Sequence, residues 1–145
     1  MAALALWLAR PDVLVRAGLP FPASIRWAGA GLGLLAGSLL TWTLRHLGPN
    51  LTDTVVTRER HSLVTSGPYR WVRHPFYLGF LLAVLANSLL SANALVAGCG
   101  LAAFGLIALR TRKEEAQLLE RFGEDYRRFM DRTGRFIPRR NRRSR

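Results

Sequence analysis

Phe76–Leu109, FYLGFLLAVLANSLLSANALVAGCGLAAFGLIAL, runs for 34 residues without a charge. As one helix it would be about 50 Å long, against a bilayer hydrocarbon core of about 30 Å. Polar residues gather near its middle: Asn87-Ser88, then Ser91-Ala92-Asn93. The stretch is therefore expected to fold as an apolar helical hairpin turning near Ser91–Asn93. Each arm is then somewhat short, which implies tilt or local thinning of the bilayer. One long tilted helix is the alternative.

The surrounding sequence fits a membrane setting. Upstream, Trp27–Leu44 is an almost unbroken apolar run bracketed by Arg26 and Arg45. It just reaches the length of a crossing. Gly29, Gly31, Gly33 and Gly37 would be costly in a soluble helix, but in a membrane they let helices pack closely. Arg45–His74 is a polar connection in which Leu51–Thr57 reads as extended and Ser66–Pro68 as a turn. Downstream, Arg112–Arg132 is charged, and Leu118, Leu119, Phe122, Tyr126 and Phe129 recur at helical spacing. This predicts an amphipathic helix, or two interrupted at Gly123.

The expected fold is thus all-α: an integral membrane protein with a transmembrane helix, a polar loop, an apolar helical hairpin and a C-terminal amphipathic helix. Residues 1–138 read as one domain and 139–145 as a basic disordered tail touching anionic lipid. Met1–Ala9 is apolar but short and ends at Arg10-Pro11, so no signal peptide is expected. Met1–Pro22 reads as a partial or interfacial helix broken by Pro11, Pro20 and Pro22.

Composition supports this. The chain has 145 residues, half of them hydrophobic, yet carries a formal net charge of +12. Those facts agree only because apolar and charged residues are segregated along it. Lys113 is the one lysine among 21 basic residues. Arginine at this density suits phosphate or carboxylate partners, and the long apolar runs favour a bilayer over nucleic acid. Cys99 is the only cysteine, which excludes an intrachain disulfide and a CxxC site. No metal site is expected. The loop and the C-terminal region share one face and are rich in arginine, which places them in the cytoplasm of a bacterial inner membrane.

Two clusters could carry chemistry. Gly67–Gly79, GPYRWVRHPFYLG, packs Tyr69, Arg70, Trp71, Arg73, His74 and Tyr77 at the mouth of a membrane segment. On residue type alone, interfacial anchoring explains them. Arg73-His74-Pro75 is more pointed. Pro75 suits the first turn of a helix, where free N–H groups and the helix dipole favour an anion, and Arg73 and His74 add donors. The second cluster is Glu114-Glu115, just past the last apolar run, followed by Phe122-Gly123-Glu124 and Tyr126. Two acids in the first turn of a solvated helix are ordinary. Folded back onto the arginine loop, they could accept hydrogen bonds from ribose hydroxyls or an ammonium group. His46 and His61 are lone histidines in a polar loop, and Gly31-Leu32-Gly33 reads as a packing notch.

Ser66–Gly79, SGPYRWVRHPFYLG, resembles the signature of the isoprenylcysteine carboxyl methyltransferase and phospholipid methyltransferase group. Glu114-Glu115 with Leu118 or Leu119, then Phe122-Gly123-Glu124 and Tyr126, resembles that group's second element, in the same order and separated by an apolar hairpin. The resemblance covers about Trp27–Pro138. It implies an all-helical membrane enzyme that uses S-adenosylmethionine. By analogy, Tyr69, His74, Tyr77, Gly79, Glu114 and Glu115 would bind the cofactor. Arg73 and His74 would be catalytic, Arg73 orienting an acceptor carboxylate and His74, or a glutamate, serving as a base where the acceptor is an amine. The acceptor is expected to be an isoprenylcysteine-like carboxylate or another small or lipid-linked molecule. Two rival readings stand beside it: an NADPH-dependent membrane lipid or sterol-type reductase, and a non-enzymatic adaptor that binds anionic lipid.

Overall fold

The computed structural model describes residues 15–48 and 63–139. Among the described residues three helices carry the fold: α1 (Ala23–Leu47), α2 (Pro75–Ser91) and α3 (Ala94–Arg132), with a short 3-10 turn at Gly67–Arg70 before α2. The Leu51–Thr57 segment, His61, most of Met1–Pro22 and most of the basic tail lie outside the described residues.

Local chemistry sets the ends. α1 begins immediately after Pro22, which is in extended backbone, and stops at Gly48, whose φ of 48° leaves the helix. α2 opens on Pro75, where a missing N–H costs nothing. It closes at Ala92, which takes the left-handed conformation with φ 48°. Asn93 then caps α3, its side chain accepting from the N–H groups of Leu95 (3.0 Å) and Val96 (3.2 Å). The hairpin therefore turns on Ala92-Asn93, inside the interval read from the sequence.

α1 and α3 are long and apolar enough to cross a membrane, and α2 is a shorter apolar helix. At 1.5 Å per residue α2 is about 26 Å long, a little under the hydrocarbon thickness, as anticipated for the hairpin arms. α3 differs from expectation in one respect. The apolar arm and the charged segment after Arg110 run on as one helix as far as Phe122, because backbone hydrogen bonding is indifferent to the change in composition. Its regularity fails only at Gly123, with φ 50° and ψ −123°.

Small residues bring the helices together. A Cβ on Gly29 would lie 2.8 Å from the Leu90 nitrogen, one on Gly79 2.8 Å from Leu40, and one on Gly100 2.7 Å from Val84. Close backbone approach of this kind replaces the large apolar core of a soluble protein. Large side chains point outward instead: Trp27, Leu34, Leu106 and Leu109 are all mostly exposed. At the hairpin end, the Leu19 N–H donates to the Ala92 carbonyl (2.6 Å), that of Ala94 to Ala17 (2.8 Å), and Arg26 Nε to Leu90 (3.1 Å). The other end gathers the 3-10 turn, the start of α2 and the charged half of α3.

Candidate active site

His74 is the residue before Pro75, so it sits at the N-terminal cap of α2 with its side chain pointed into the bundle end and only 7% exposed. The preceding residues are fixed by an unanticipated partner. Just past α3, Gly134 and Arg135 run beside Trp71–His74. Arg73 N–H donates to Gly134 (2.8 Å), His74 N–H to Arg135 (3.0 Å), and Gly134 N–H to Trp71 (3.3 Å). The pairing of Val72 with Gly134 is a parallel bridge. The backbone donors of Arg73 and His74, just ahead of the first turn of α2, are thus taken by this C-terminal strap.

An anion is nevertheless present, and it is Glu115. Its Oε1 accepts from Arg73 Nε (2.8 Å) and lies 3.2 Å from His74 Nε2. Its Oε2 accepts from Arg135 Nη2. The carboxylate is 5% exposed, and charged donors surround it as a buried charge requires. Arg73 is equally engaged, since Nη1 donates to the carbonyls of Met130 (3.1 Å) and Thr133 (2.5 Å). Arg73 therefore fastens the end of α3 to the start of α2.

Glu114 has a different setting. Its side chain is 30% exposed, Oε1 accepts from the Tyr77 hydroxyl (2.6 Å) and Arg110 Nε is 3.5 Å away. Its Oε2 is 4.0 Å from His74 Nδ1. Burial holds the His74 imidazole below its ordinary pKa, against the opposing pull of Glu115. A neutral imidazole beside Glu115 carries its proton on Nε2, donating to Oε1. That leaves Nδ1 as a bare acceptor facing the Glu114–Tyr77 side.

The structure thus brings Arg73, His74, Tyr77, Glu114 and Glu115 into one cluster. Gly79 packs against Leu40 of α1, two residues beyond Tyr77. Tyr69, like Arg73, lines a cavity of about 200 Å³. Burial pushes its phenol up to about 12. His46 belongs elsewhere: its Nδ1 is 2.9 Å from the Trp42 carbonyl and its ring meets Trp42 edge-on. No group of three or more His, Cys, Asp or Glu residues able to hold a metal occurs among the described residues.

Sequence reasoning missed Arg135 and Phe136. The Phe136 ring lies 6.0 Å from that of His74 and 6.3 Å from that of Phe104. The signal was there in Thr133-Gly134, a helix stop, followed by two apolar residues in an arginine-rich stretch.

The chain that carries this cluster is similar to known proteins. Residues 29–120 match the model of the isoprenylcysteine carboxyl methyltransferase (ICMT) family. The chain belongs to that family. A protein-S-isoprenylcysteine O-methyltransferase of Dictyostelium discoideum is 29% identical over 106 residues, covering 71% of this chain and 45% of the relative. A methanethiol S-methyltransferase of Pseudomonas deceptionensis is 31% identical over 144 residues, covering 91% of this chain and 53% of the relative. The solved structure of the eukaryotic intramembrane Ras methyltransferase ICMT superposes with a TM-score of 0.69 at 27% identity, over 79% of this chain and 42% of that one. The chain thus spans about half the length of these relatives. The all-α membrane architecture is that of the family, and neither the reductase nor the adaptor reading finds support in these similarities.

Proposed function

We propose that the chain catalyses methyl transfer from S-adenosylmethionine to an acceptor presented at the membrane interface, a carboxylate of the isoprenylcysteine type or another lipid-borne group. The observation that carries this reading is the division of labour between two adjacent glutamates. Glu115 is saturated by Arg73, His74 and Arg135, while Glu114 stays partly exposed with a hydroxyl and an imidazole beside it.

These residues fit the donor. Glu114 offers a partly exposed negative charge to an ammonium or sulfonium, and Tyr77 fixes that carboxylate from one side. Tyr69 lines the adjoining cavity. Glu115 acts by orienting His74. Gly79, lacking a side chain, lets α1 close on α2 behind Tyr77. When bound, the donor supplies an electrophilic methyl group on a sulfonium. A carboxylate acceptor is already ionised and needs only in-line alignment and exclusion of water. Arg73 is a positioning residue in this scheme, since its Nε and Nη1 are committed inside the protein.

A second reading has its own support. The Pseudomonas relative is named for a thiol acceptor, and a thiol, protonated at neutral pH, must lose its proton to react. His74 Nδ1, neutral and facing Glu114, is placed to receive it. The membrane face bearing the site carries Arg45, Arg70, Arg110, Arg112, Lys113 and the arginines of the α3 end, so we place it in the cytoplasm.

The test is a labelled-methyl assay on the purified protein in detergent. The expected product is the methyl ester of an S-prenylated cysteine, or the methylated thiol under the second reading. Thermal stabilisation by S-adenosylhomocysteine and not by NADPH should accompany it. Stabilisation by NADPH alone would overturn the proposal.

A further inference from the structure

The side of α1 turned away from α2 carries a shallow groove lined by Gly33, Leu34, Gly37, Ser38, Thr41 and Arg45. Gly29, Ala36 and Thr43 are the buried residues of α1, whereas Leu34, Gly37, Ser38, Thr41 and Arg45 are exposed. A Cβ on Gly37 would meet nothing within 4 Å, so no neighbouring element fills the groove. From Gly33 to Arg45 the helix rises about 18 Å, slightly more than one leaflet of a hydrocarbon core of about 30 Å. Ser38 Oγ donates to the Leu34 carbonyl (2.8 Å), so that hydroxyl is satisfied within the helix and leaves the groove fit for an apolar chain.

At the Arg45 end, aromatic rings and a second arginine gather. Arg45 lies one helical turn beyond Thr41 and Trp42. Trp42 meets Trp71 edge-on at 5.6 Å and His46 at 5.9 Å. Arg70 lies over the Trp71 ring, 5.1 Å from its centre. Trp42 and Trp71 stay 40% and 45% exposed although they touch each other. Gly67 takes φ 57° beneath His46, where any Cβ would run into the imidazole, so the loop before α2 is seated on the end of α1. Every described acid lies on α3, and neither Arg45 nor Arg70 has a carboxylate partner among the described residues.

We propose that this face seats one anionic phospholipid, with its phosphate on Arg45, an acyl chain between Gly33 and Thr41, and its glycerol level beside Trp42 and Trp71. The proposal does not depend on the identity of the methyl donor. Arginine binds phosphate through paired N–H donors, tryptophan favours the headgroup level, and cations clustered at a helix end recruit anionic lipid. Aromatic anchoring alone would need no groove. Charge also argues against a second copy as the occupant. A symmetric pair joined through this face, both chains in the same orientation, would set one Arg45 against the other with no described acid between them. Trp71 stands two residues before Arg73, and its carbonyl accepts from the Gly134 N–H (3.3 Å). A lipid held there steadies the segment that leads into the glutamate–histidine cluster.

The experiment is native mass spectrometry of the full chain, stripped of lipid in detergent and titrated with phosphatidylglycerol, phosphatidylcholine or glycerol 3-phosphate. Phosphatidylcholine has the same phosphate and chains without net charge, and glycerol 3-phosphate is a phosphate without chains. One phosphatidylglycerol per chain is expected to bind ahead of the other two and to raise the melting temperature. Arg45→Gln should weaken it about five-fold, which is what one arginine near an anionic surface contributes. Gly37→Leu should abolish retention by filling the groove, with the lipid-free melting temperature unchanged because the new side chain enters open space. Should Gly37→Leu lower that temperature, Arg45→Gln, at an exposed position, carries the test alone. Equal retention of phosphatidylcholine, or an unchanged phosphatidylglycerol affinity in Arg45→Gln, means ordinary surrounding lipid and overturns the proposal. Equal binding of glycerol 3-phosphate means a plain anion site and overturns it too. A lipid-free dimer that Gly37→Leu dissolves would make a second copy the occupant and sink the phospholipid reading.

Discussion

Glu114 and Glu115 are neighbours in sequence but are expected to respond differently to the same change. Glu115→Gln keeps the shape and removes the charge that Arg73 and Arg135 share. Breaking a buried pair on one side costs about 3–5 kcal/mol, and the partial exposure of Arg135 moves this case to the low end. The melting temperature should drop and donor binding should go with it. Glu114→Gln retains an oxygen for the Tyr77 hydroxyl at a partly exposed place, so the melting temperature should hold while donor affinity falls about ten-fold. Equal effects of the two substitutions on stability would contradict this division of roles. His74 adds a dependence on pH. Its folded-state pKa is depressed by burial, so below the ordinary value of about 6.5 the unfolded chain binds more protons than the folded one. Stability contributed by neutral His74 is therefore present above about pH 6.5 and lost as pH falls toward the folded value. Melting curves between pH 5 and 8 should show this acid-side loss, and His74→Gln should flatten it. At this scale much was legible in the sequence. Arg73, His74, Tyr77, Glu114 and Glu115 all meet, because charged groups set so close to apolar runs satisfy one another when the helices pack. What spacing could not reveal is that the guanidinium of Arg73 faces inward, to Glu115 and two carbonyls.

The elements show the same contrast between local and distant signals. The hairpin was readable, because its turn is written in adjacent residues and Asn93 caps the returning helix. The strap was not, because residues about 60 positions apart pair over only a few hydrogen bonds, and no periodicity announces a parallel bridge. Arg135→Ala tests whether the strap matters. It removes one of two arginines on Glu115, so methyl transfer should fall, and Arg135→Lys should restore part of it by returning the charge. No recovery with lysine would show that the pairing of charges is not the reason. Glycines allow a second test within α1. Gly29→Ala forces a Cβ to within 3 Å of α2 backbone and should cost about 1–3 kcal/mol as overpacking. Gly31→Ala meets open space and should be neutral or stabilising by up to about 1 kcal/mol. Thermal melts of the pair in detergent compare packing against propensity in one helix. Gly123→Ala belongs to the same class. Its φ of 50° with ψ of −123° excludes a side chain without strain of about 1–3 kcal/mol.

For the whole molecule, the packing fixes which ends lie together, and charge then assigns the sides. α1 starts beside the α2–α3 turn, held there by Arg26 and by the Ala17–Leu19 contacts, and ends beside the start of α2. The hairpin returns α3 to that same end. The turn at Ala92-Asn93 and the charged half of α3 must therefore face opposite sides of any bilayer that these helices span. Cysteine labelling tests this directly, because Cys99 is the only native thiol and Cys99→Ser clears the background. In that background Ser91→Cys places a thiol at the turn, and Glu124→Cys places one on an exposed position of α3 beyond Gly123. A maleimide that cannot cross membranes should label Ser91→Cys in intact cells with the outer barrier opened. It should label Glu124→Cys only once the membrane that holds the protein is permeabilised. Labelling of both from one side would show that the hairpin does not span. The reverse pattern would keep the fold and invert the orientation, leaving the arginine-rich face outside and the positive-inside argument wrong for this chain.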